Sequence, residues 1–358
     1  MITISLCMIV KNEEDILGRI LSQISPVVDE IIIVDTGSTD QTKKIARRFT
    51  SLIFDYPWNM DFAAARNMAC KKASMDYWMW LDADDFITPH WIDEMKKLKY
   101  SLDPTIDVVM MKYITGFDEG NRPVFSYYRE RLFKNNGTFF WNGRVHEAIT
   151  PSGKILYSPI EIEHRKTKPT DPDRNLKIYE QMKKEGEILE ARHQFYYARE
   201  LFYHAQYENA AKTFQEFLNN PEGWSENKIE TCLQLSKCYE KMNAFTAGID
   251  ILYQSFSFAN PRPKICCELG YRMLQNKMYH GAIYWYKQAL TANPEEQTGA
   301  FIETDCQHFI PLIQLCVCYD RLGDRKKALF YHKKAQAIKP YDLAVQQNEV
   351  YFQKNNCC

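Results

Sequence analysis

The sequence predicts an α/β domain with a mostly parallel sheet, followed by an all-α domain built from helical repeats. Apolar runs alternate with helical patterns through the first half of the chain, which indicates strand–helix units. From about Asp173 onward the pattern is almost entirely helical, and small residues recur in it at fixed spacing. The 358 residues are enough for two domains, since one domain takes about 150 residues.

Four continuous apolar runs in the first half are expected to form buried strands: Ile2–Val10, Ile31–Val34, Leu52–Phe54 and Tyr77–Leu81. Continuous apolarity is typical of a parallel sheet that is covered on both faces. Helical spacing follows these runs over Asn12–Ser25, Asp40–Phe49, Asp61–Ala73 and from Thr88-Pro89. We expect Asn12 to cap the first of these helices. The repeated alternation indicates an open, twisted sheet.

The second half contains a repeat marked by small residues. They recur in pairs 12 positions apart, as Ala198 and Ala210, Ser236 and Gly248, Gly270 and Ala282, and Cys316 and Ala328. Pro294 and Pro340 each follow such a pair by another 12 positions. Successive pairs lie 38, 34 and 46 residues apart, with an insertion near Glu295–His308. The half therefore resembles about four tetratricopeptide repeats, whose period is about 34 residues; an irregular helical bundle is the alternative.

These patterns place the domain boundaries. We expect an α/β domain over residues 1–170, a linker or helical connection over 171–190, repeats over 191–342 and a C-terminal tail over 343–358. The 45 basic and 46 acidic residues give a net charge of −1, which argues against nucleic-acid binding. No apolar run reaches the roughly 18 residues of a membrane span. With no export signal and no C-x-x-C pair, we expect a cytoplasmic protein with reduced cysteines.

Polar clusters follow all four expected strands. They are Lys11–Glu14, Asp35–Asp40, Asp55–Asn59 and Asp82–Asp85. Ligands of open α/β sheets bind beyond the carboxyl ends of the strands, so these clusters are expected to meet at one cleft. Each cluster alone would be a helix cap or a turn. Their joint placement favours a binding site.

Asp82-Ala83-Asp84 is the most informative of these clusters. Two carboxylates at positions i and i+2 after a buried strand can hold one hard cation, such as Mg²⁺ or Mn²⁺. An acidic turn before the helix at Thr88 is the alternative. Neither G-x-x-x-x-G-K-[ST] nor G-x-G-x-x-G occurs in the chain, which disfavours ATPase and dinucleotide-binding functions.

Four segments in order carry a family resemblance: ISLCMIVKNEE, EIIIVDTGSTDQT, WNMDFAAARNMA and WMWLDADD. Together they resemble the nucleotide-sugar-binding half of family 2 glycosyltransferases, which have the Rossmann-like GT-A fold. WNGRVHEAI (141–149) and HRKTKPTDPDRN (164–175) resemble later elements of members fused to tetratricopeptide repeats. The combination is similar to bacterial enzymes that glycosylate peptides or proteins, such as the S-glycosyltransferases of glycosylated bacteriocins.

The resemblance implies a UDP-sugar donor, a Mn²⁺ or Mg²⁺ cofactor and a set of site residues. Asp35 would hydrogen-bond the uracil, and Arg66 would lie near the nucleotide. Asp84 would coordinate the metal, Asp82 would contact ribose or metal, and His164 could complete the metal shell. The implied nucleotide-sugar-binding set is Val10, Lys11, Asn12, Glu13, Asp35, Arg66, Asp82, Ala83 and Trp141.

Family 2 enzymes invert the anomeric centre, so the acceptor attacks the sugar directly. A hydroxyl acceptor needs a base, whereas a Cys thiol ionises more easily. Glu147 is the first candidate for the base and Asp85 the second, because the chain lacks the family's usual acidic pair after the sheet. His146 and His164 are the further candidate site histidines. Trp141 is expected either to form a wall for the sugar or to belong to the core.

The function of the repeats stays open between capture of a peptide acceptor and dimerisation, since stacked repeats expose a concave surface. A glycosyltransferase with a carbohydrate or lipid-linked glycan acceptor is the second hypothesis. A non-catalytic repeat scaffold is the third. Sugar-phosphate nucleotidyltransferase is a weaker rival, because its glycine-rich N-terminal loop is missing.

Overall fold

The computed structural model describes residues 1–166, 168, 171–292 and 301–354. The chain divides into two compact units, Met1–Ile188 and Leu189–Cys358. The stretch expected as a linker or helical connection contains a helix, α5 (Arg174–Lys184), that belongs to the first unit. Pro294 and much of the expected insertion lie outside the described residues.

The first unit alternates strands and helices and then adds three long strands. Its strands are β1 (Ile4–Val10), β2 (Glu30–Asp35), β3 (Ile53–Asp55), β4 (Tyr77–Trp80), β5 (Asp85–Phe86), β6 (Val108–Phe117), β7 (Pro123–Lys134) and β8 (Ile155–His164). Its other helices are α1 (Leu17–Ile24), α2 (Thr42–Ala46), α3 (Phe62–Cys70) and α4 (Pro89–Ser101). The expected α/β class is confirmed.

The strands form one sheet in the order β3-β2-β1-β4-β7-β6-β8-β5. The first four strands are parallel to one another, and β6 is parallel to β8. The pairs β4–β7, β6–β7 and β5–β8 are antiparallel. The sheet is therefore parallel in the half that the sequence predicted, and mixed in the half that follows it.

One expected cap is wrong. Helix α1 begins at Leu17, and no side chain caps it. Asn12 instead has a left-handed backbone, with a φ of 56°, and its side-chain oxygen accepts a hydrogen bond from the Thr39 N–H at 2.8 Å. The side chain of Asn12 thus binds Thr39, which follows the neighbouring strand β2, instead of capping helix α1. Helix α3 does have a local cap, because Asp61 accepts from the Ala64 N–H at 2.8 Å.

Both faces of the parallel half are covered, which explains the continuous apolar runs. On one face, Leu6 and Met8 of β1 pack in a cluster with α1 residues such as Leu17. On the other face, Cys7 of β1 packs in a cluster that includes Trp80 and Trp141. Each fully buried aliphatic side chain contributes about 1.5–3 kcal/mol to folding. The strand ends that carry the polar clusters therefore stand on a rigid core.

In the part of the second unit that the structure describes, helices account for all the regular elements except one two-residue strand. Its elements are α6 (Ala191–Tyr203), α7 (Tyr207–Leu218), α8 (Ser225–Lys241), α9 (Phe245–Gln254), α10 (Pro263–Gln275), α11 (Tyr279–Thr291), β9 (Ile302–Glu303), α12 (Thr304–His308), α13 (Ile310–Arg321), α14 (Arg325–Ile338) and α15 (Leu343–Lys354). Consecutive helices pack as the pairs α6–α7, α8–α9, α10–α11 and α13–α14. The stretch expected as a C-terminal tail begins with helix α15.

The small residues of the repeat lie where paired helices approach each other. Ser236 Oγ in α8 donates a hydrogen bond to the Gly248 carbonyl in α9 at 2.7 Å. A Cβ on Gly270 in α10 would lie 2.8 Å from the ring of Tyr286 in α11. The helices of a pair can therefore approach this closely only where small residues such as Gly248 and Gly270 lie at the contact.

A second mark of the repeat appears only in the structure. The residue seven positions after the first small residue of each pair has a positive φ: Ala205 at 56°, Asn243 at 58°, Lys277 at 59° and Gly323 at 80°. Each lies just beyond the end of the first helix of its pair. The left-handed conformation at this position ends the helix and turns the chain into the next one.

Among the described helices, none combines the length and the apolar character that a crossing of the membrane requires. The cytoplasmic location expected from the sequence stays a prediction.

Candidate active site

Three of the four polar clusters lie side by side at the carboxyl ends of the parallel strands. β1 lies between β2 and β4 in the sheet, and Val10 is in register with Asp35. The chain leaves β1 toward β2 and later returns to β4 on the other side, so a cleft opens at this point. The fourth cluster follows β3 at the outer edge, where Asp55 is paired with Lys43 at 2.6 Å.

Asp35 is the last residue of β2, and its two carboxylate oxygens differ in their hydrogen bonds. Its Oδ1 accepts hydrogen bonds from the backbone N–H groups of Gly37 at 3.0 Å and Ser38 at 2.8 Å. Its Oδ2 is buried and has no hydrogen-bond partner among the described residues. A buried acceptor without a partner costs free energy unless a ligand supplies the donor. Asp35 is thus a candidate acceptor for a ligand N–H group.

The segment after β1 is tied to the segment after β2. The Asn12 N–H donates to Ser38 Oγ at 2.9 Å, and the Glu13 N–H donates to Thr42 Oγ1 at 2.7 Å. Val10 is buried, whereas Lys11 is exposed. Burial raises the pKa of Glu13 to about 7; Lys168 opposes this rise and Asp84 adds to it. The expected pocket residues Val10–Glu13 therefore lie beside Asp35 and close to Asp84.

We call residues 82–85 the acidic loop. Its three carboxylates face three different basic side chains. Asp82 Oδ1 accepts from Arg66 Nη2 at 2.8 Å. Burial alone would raise the pKa of Asp82, but the charges of Arg66 and Arg131, together with the hydrogen bond from Arg66, lower that pKa. Between the two acids, Ala83 is buried.

The second and third acids of the loop lie near His164. Nδ1 of His164 is 3.4 Å from Asp84 Oδ1 and 3.9 Å from Asp85 Oδ1. Antiparallel pairing of Asp85 in β5 with His164 in β8 fixes this proximity. Burial would lower the pKa of His164, but the hydrogen bond and charge of Asp84 raise it.

These three residues fit a divalent cation. Asp84, Asp85 and His164 each offer a ligand atom, and the three atoms lie within 4.8 Å of one another. Carboxylate oxygens with one imidazole suit Mn²⁺ or Mg²⁺. The structure thus groups two of the expected metal ligands, Asp84 and His164, with Asp85. It directs the third, Asp82, to Arg66 instead.

Arg66 connects the acidic loop to Glu147. Its Nε donates to Glu147 Oε1 at 2.7 Å, and its guanidinium carbon lies 5.1 Å from the Trp80 ring centroid and 4.9 Å from that of Trp141. Burial would lower the pKa of Arg66, but the charges of Asp82 and Glu147 outweigh it. Nη1 of Arg66 is buried and makes no hydrogen bond within the described part of the chain.

Trp141 and His146 hold the segment that carries Glu147. Trp141 is 2% exposed and lies in the core cluster with Trp80, so its ring has little surface to offer to a sugar. His146 has a left-handed backbone with a φ of 51°, and its ring stacks on that of Tyr179 at 6.2 Å between centroids. His146 therefore lies between two site residues in sequence but packs toward α5.

Two residues that the sequence did not single out complete the site. Arg131 of β7 donates to Asp85 Oδ2 at 3.0 Å, and Tyr113 of β6 donates from its hydroxyl to Asp85 Oδ1 at 2.9 Å. Asp85, the second candidate base, is fully buried with both oxygens engaged. The sequence carries no clear signal for Arg131, because it lies in the charged stretch Arg129-Glu130-Arg131 and looks like an exposed residue.

The fold and these contacts define an α/β domain with a candidate ligand site, rich in carboxylates, at the switch point of its sheet. Residues 5–155 match the model of a family described as Glycosyl transferase family 2. The first unit therefore contains a family 2 glycosyltransferase domain, and the family resemblance seen in the sequence is confirmed.

Two curated relatives match parts of this chain. A TPR repeat-containing protein of Synechococcus elongatus is 33% identical over 153 residues, which are 42% of this chain and 36% of that protein. The SPbeta prophage-derived glycosyltransferase SunS of Bacillus subtilis is 27% identical over 231 residues, 61% of this chain and 54% of that protein. The chain thus spans about a third to a half of the length of these relatives.

One solved structure of similar fold is glucosyl-3-phosphoglycerate synthase of Mycobacterium tuberculosis, in complex with Mn²⁺ and uridine-diphosphate-glucose. It is 16% identical, with a TM-score of 0.36, over 53% of this chain and 81% of that chain. At that score the likeness says nothing further about the site.

Proposed function

We propose that this chain is an inverting, metal-dependent glycosyltransferase that moves a sugar from a UDP-sugar to a Ser, Thr or Cys side chain of a peptide or protein. The observation that carries the proposal is the group Asp84, Asp85 and His164 at the end of β4, beside the pair Arg66–Glu147. All of these residues except His164 lie in the family 2 match over residues 5–155, and the arrangement puts candidate cation ligands next to a candidate base.

The donor's nucleoside would bind between the segments that follow β1 and β2. The unpartnered Oδ2 of Asp35 is suited to the N–H of a uracil ring. Asn12 and Glu13 are fixed by hydrogen bonds to Ser38 and Thr42, so they form one wall of this pocket. The pocket is therefore organised before the donor arrives, which lowers the entropic cost of binding.

The acidic loop would take the diphosphate. Asp84 and His164, with Asp85, would hold Mn²⁺ or Mg²⁺. When bound, such a cation supplies positive charge against the negative charge that develops on the leaving diphosphate. Arg66 keeps Asp82 in the ion pair at 2.8 Å, and its free Nη1 donor suits a phosphate or sugar oxygen.

Glu147 is the residue that we assign to the acceptor's proton. Arg66 engages its Oε1, which leaves Oε2 as the oxygen that can accept a proton. The carboxylate is only 12% exposed, so water competes weakly at this position. Asp85 is less suited to the role because both of its oxygens already accept hydrogen bonds.

The helix pairs of the second unit support a peptide or protein acceptor. Stacked helix pairs form the extended surfaces on which repeat proteins bind peptides. The resemblance to enzymes that glycosylate peptides points the same way. Dimerisation through the repeats, the other expected role, stays a prediction.

The test is nucleotide release from a panel of UDP-sugars with Mn²⁺, in the presence and absence of peptide acceptors. Asp84→Asn is the site variant. Asp93→Asn is its matched control, since Asp93 is an exposed aspartate of α4. We expect release with the parent and the control, and at least a hundredfold less with Asp84→Asn.

Equal release by Asp84→Asn would contradict the metal assignment. Release stimulated by glycans and not by peptides would support the alternative acceptor class. If no UDP-sugar binds to the parent protein, the non-catalytic scaffold replaces this proposal.

A further inference from the structure

The acidic loop rests on a fully buried ion pair. The side chains of Arg131 and Asp85 are both 0% exposed, and Nη1 of Arg131 lies 3.0 Å from Asp85 Oδ2. They come from β7 and β5, which are not neighbours in the sheet. Removing two charges from water costs several kcal/mol per ion, so such a pair contributes little net stability. Stability therefore does not explain why the chain buries this pair.

Asp85 uses its carboxylate to close the loop. Oδ2 accepts from the Asp82 N–H at 3.0 Å as well as from Arg131. The Asp85 N–H in turn donates to the Asp82 carbonyl at 3.1 Å. Two hydrogen bonds thus join the first and last residues of the acidic loop, and together they limit the directions in which Asp82 and Asp84 can point.

Arg131 connects that closed loop to the strand that precedes it. Its Nη1 also donates to the Trp80 carbonyl at 3.3 Å, and its guanidinium lies 3.8 Å from the Trp80 ring centroid. Trp80 is the last residue of β4. Nη1 of Arg131 therefore joins the start of the loop, at Trp80, to its end, at Asp85, while the planar guanidinium lies over the Trp80 ring.

Tyr113 completes the arrangement from β6. Its hydroxyl donates to Asp85 Oδ1 at 2.9 Å, and its ring centroid lies 4.3 Å from the guanidinium carbon of Arg131. Oδ1 is also the oxygen that lies 3.9 Å from His164. Tyr113 therefore orients the oxygen of Asp85 that faces the candidate cation site.

We infer that Arg131 and Tyr113 are positioning residues, which act through Asp85 to set the direction of the carboxylates of the acidic loop. The inference rests on the proposed function in so far as the loop serves the donor and its cation. Outer partners of this kind typically change metal affinity by about 10- to 100-fold when they are replaced. They do so without touching the metal or the substrate.

Two conservative variants of the full chain test this role. Tyr113→Phe removes only the hydroxyl, and Arg131→Lys keeps the charge but loses the planar guanidinium that lies over the rings of Trp80 and Tyr113. Arg272→Lys is the matched control, because Arg272 is also buried and paired, with Glu268 at 2.7 Å, but in the second unit. Asp84→Asn reports loss of a direct ligand. Each variant is first checked for cooperative thermal unfolding.

Two readouts are needed, and neither is activity. Electron paramagnetic resonance of free Mn²⁺ gives the affinity of each variant for the ion alone. Hydrogen–deuterium exchange of a peptide that spans residues 80–86 reports the Asp82 and Asp85 N–H groups, without metal. We expect both Tyr113→Phe and Arg131→Lys to bind Mn²⁺ about tenfold more weakly and to exchange faster in this peptide. Arg272→Lys should match the parent.

Parent-like Mn²⁺ affinity in both variants, with a clear loss in Asp84→Asn, would overturn the inference and leave the proposed function intact. Unchanged exchange in residues 80–86 would overturn it as well. If the parent protein binds no Mn²⁺ but the exchange increases as expected, the metal assignment fails and the positioning role stands.

Discussion

Arg66 and Glu147 are 81 positions apart in the chain and form a hydrogen-bonded ion pair with 2.7 Å between Nε and Oε1. The same guanidinium reaches Asp82 at 2.8 Å. One buried cation therefore ties the candidate base to the candidate cation site. Because the fork of an arginine fixes both contacts at once, the distance between the two carboxylates is fixed as well.

The first prediction concerns Glu147. Glu147→Gln keeps the size of the side chain and can still accept a hydrogen bond from Arg66, but it cannot take a proton. With a hydroxyl acceptor, we expect kcat to fall by about 10²–10⁴-fold, with an unchanged Kd for the UDP-sugar in calorimetry.

Glu94→Gln, at a carboxyl group on α4 that is paired with Lys97, is the control and should behave like the parent. A parent-like kcat in Glu147→Gln would remove Glu147 from the catalytic role. A small effect that appears only with thiol acceptors would instead fit an acceptor that ionises without help.

The second prediction follows from the pKa of Glu13, which burial raises to about 7 from the ordinary value of 4.5. The folded protein therefore holds a proton that the unfolded chain releases at lower pH. This contribution to stability is present below pH 4.5 and is lost as the pH rises to about 7. Glu13→Gln removes the titration.

We expect the free energy of unfolding of the parent, relative to Glu13→Gln, to fall by about 1 kcal/mol between pH 4.5 and 8, because solvent screens part of the effect. Urea unfolding at several pH values measures it. The opposite slope, or no slope, would show that Glu13 is not held in this environment. Glu94→Gln again serves as the reference.

The third prediction concerns the left-handed position of the repeats. Lys277 occupies it with a φ of 59°, where Gly323 stands in a later repeat. Lys277→Gly should raise the free energy of unfolding by about 0.5–1 kcal/mol, because glycine adopts this conformation without a steric cost. Denaturant unfolding gives the value.

Gly323→Ala should have the opposite sign. Lys241→Gly tests the specificity of position, since Lys241 is the last residue of α8 and glycine in a helix costs about 1 kcal/mol. If Lys277→Gly destabilises the protein as much as Lys241→Gly, the conformation at position 277 is not left-handed.

The parallel half of the sheet was predictable because its strands are apolar without alternation. Strands such as β2 (Glu30–Asp35) are buried on both faces, and each ends in a polar cluster. The strands β6 to β8, which form the mixed half of the sheet, were not predicted. Along β7 a run of half-buried positions is followed by a run of buried ones. Its sequence includes Arg129-Glu130-Arg131, so neither a continuous apolar run nor a clean alternation marks it.

The candidate site, too, was predictable only in part. Asp35, Asp82 and Asp84 follow predicted strands, so their meeting at one edge could be expected from topology alone. The separate partners of the three acids could not be, because Arg66, His164 and Arg131 arrive from other elements. Asn12 shows the same limit: its residue type fits a cap, but its partner, Thr39, is set by the tertiary fold.

The buried oxygen of Asp35 has a consequence for which nucleotide the cleft accepts. A lone acceptor sealed from solvent disfavours the empty protein by about 1–3 kcal/mol. A pyrimidine that presents an imide hydrogen relieves that penalty, whereas cytosine, which offers a bare ring nitrogen at the same place, adds electron-pair repulsion to it. Under the proposed function, this single carboxylate would therefore discriminate between uridine and cytidine carriers before any sugar is recognised.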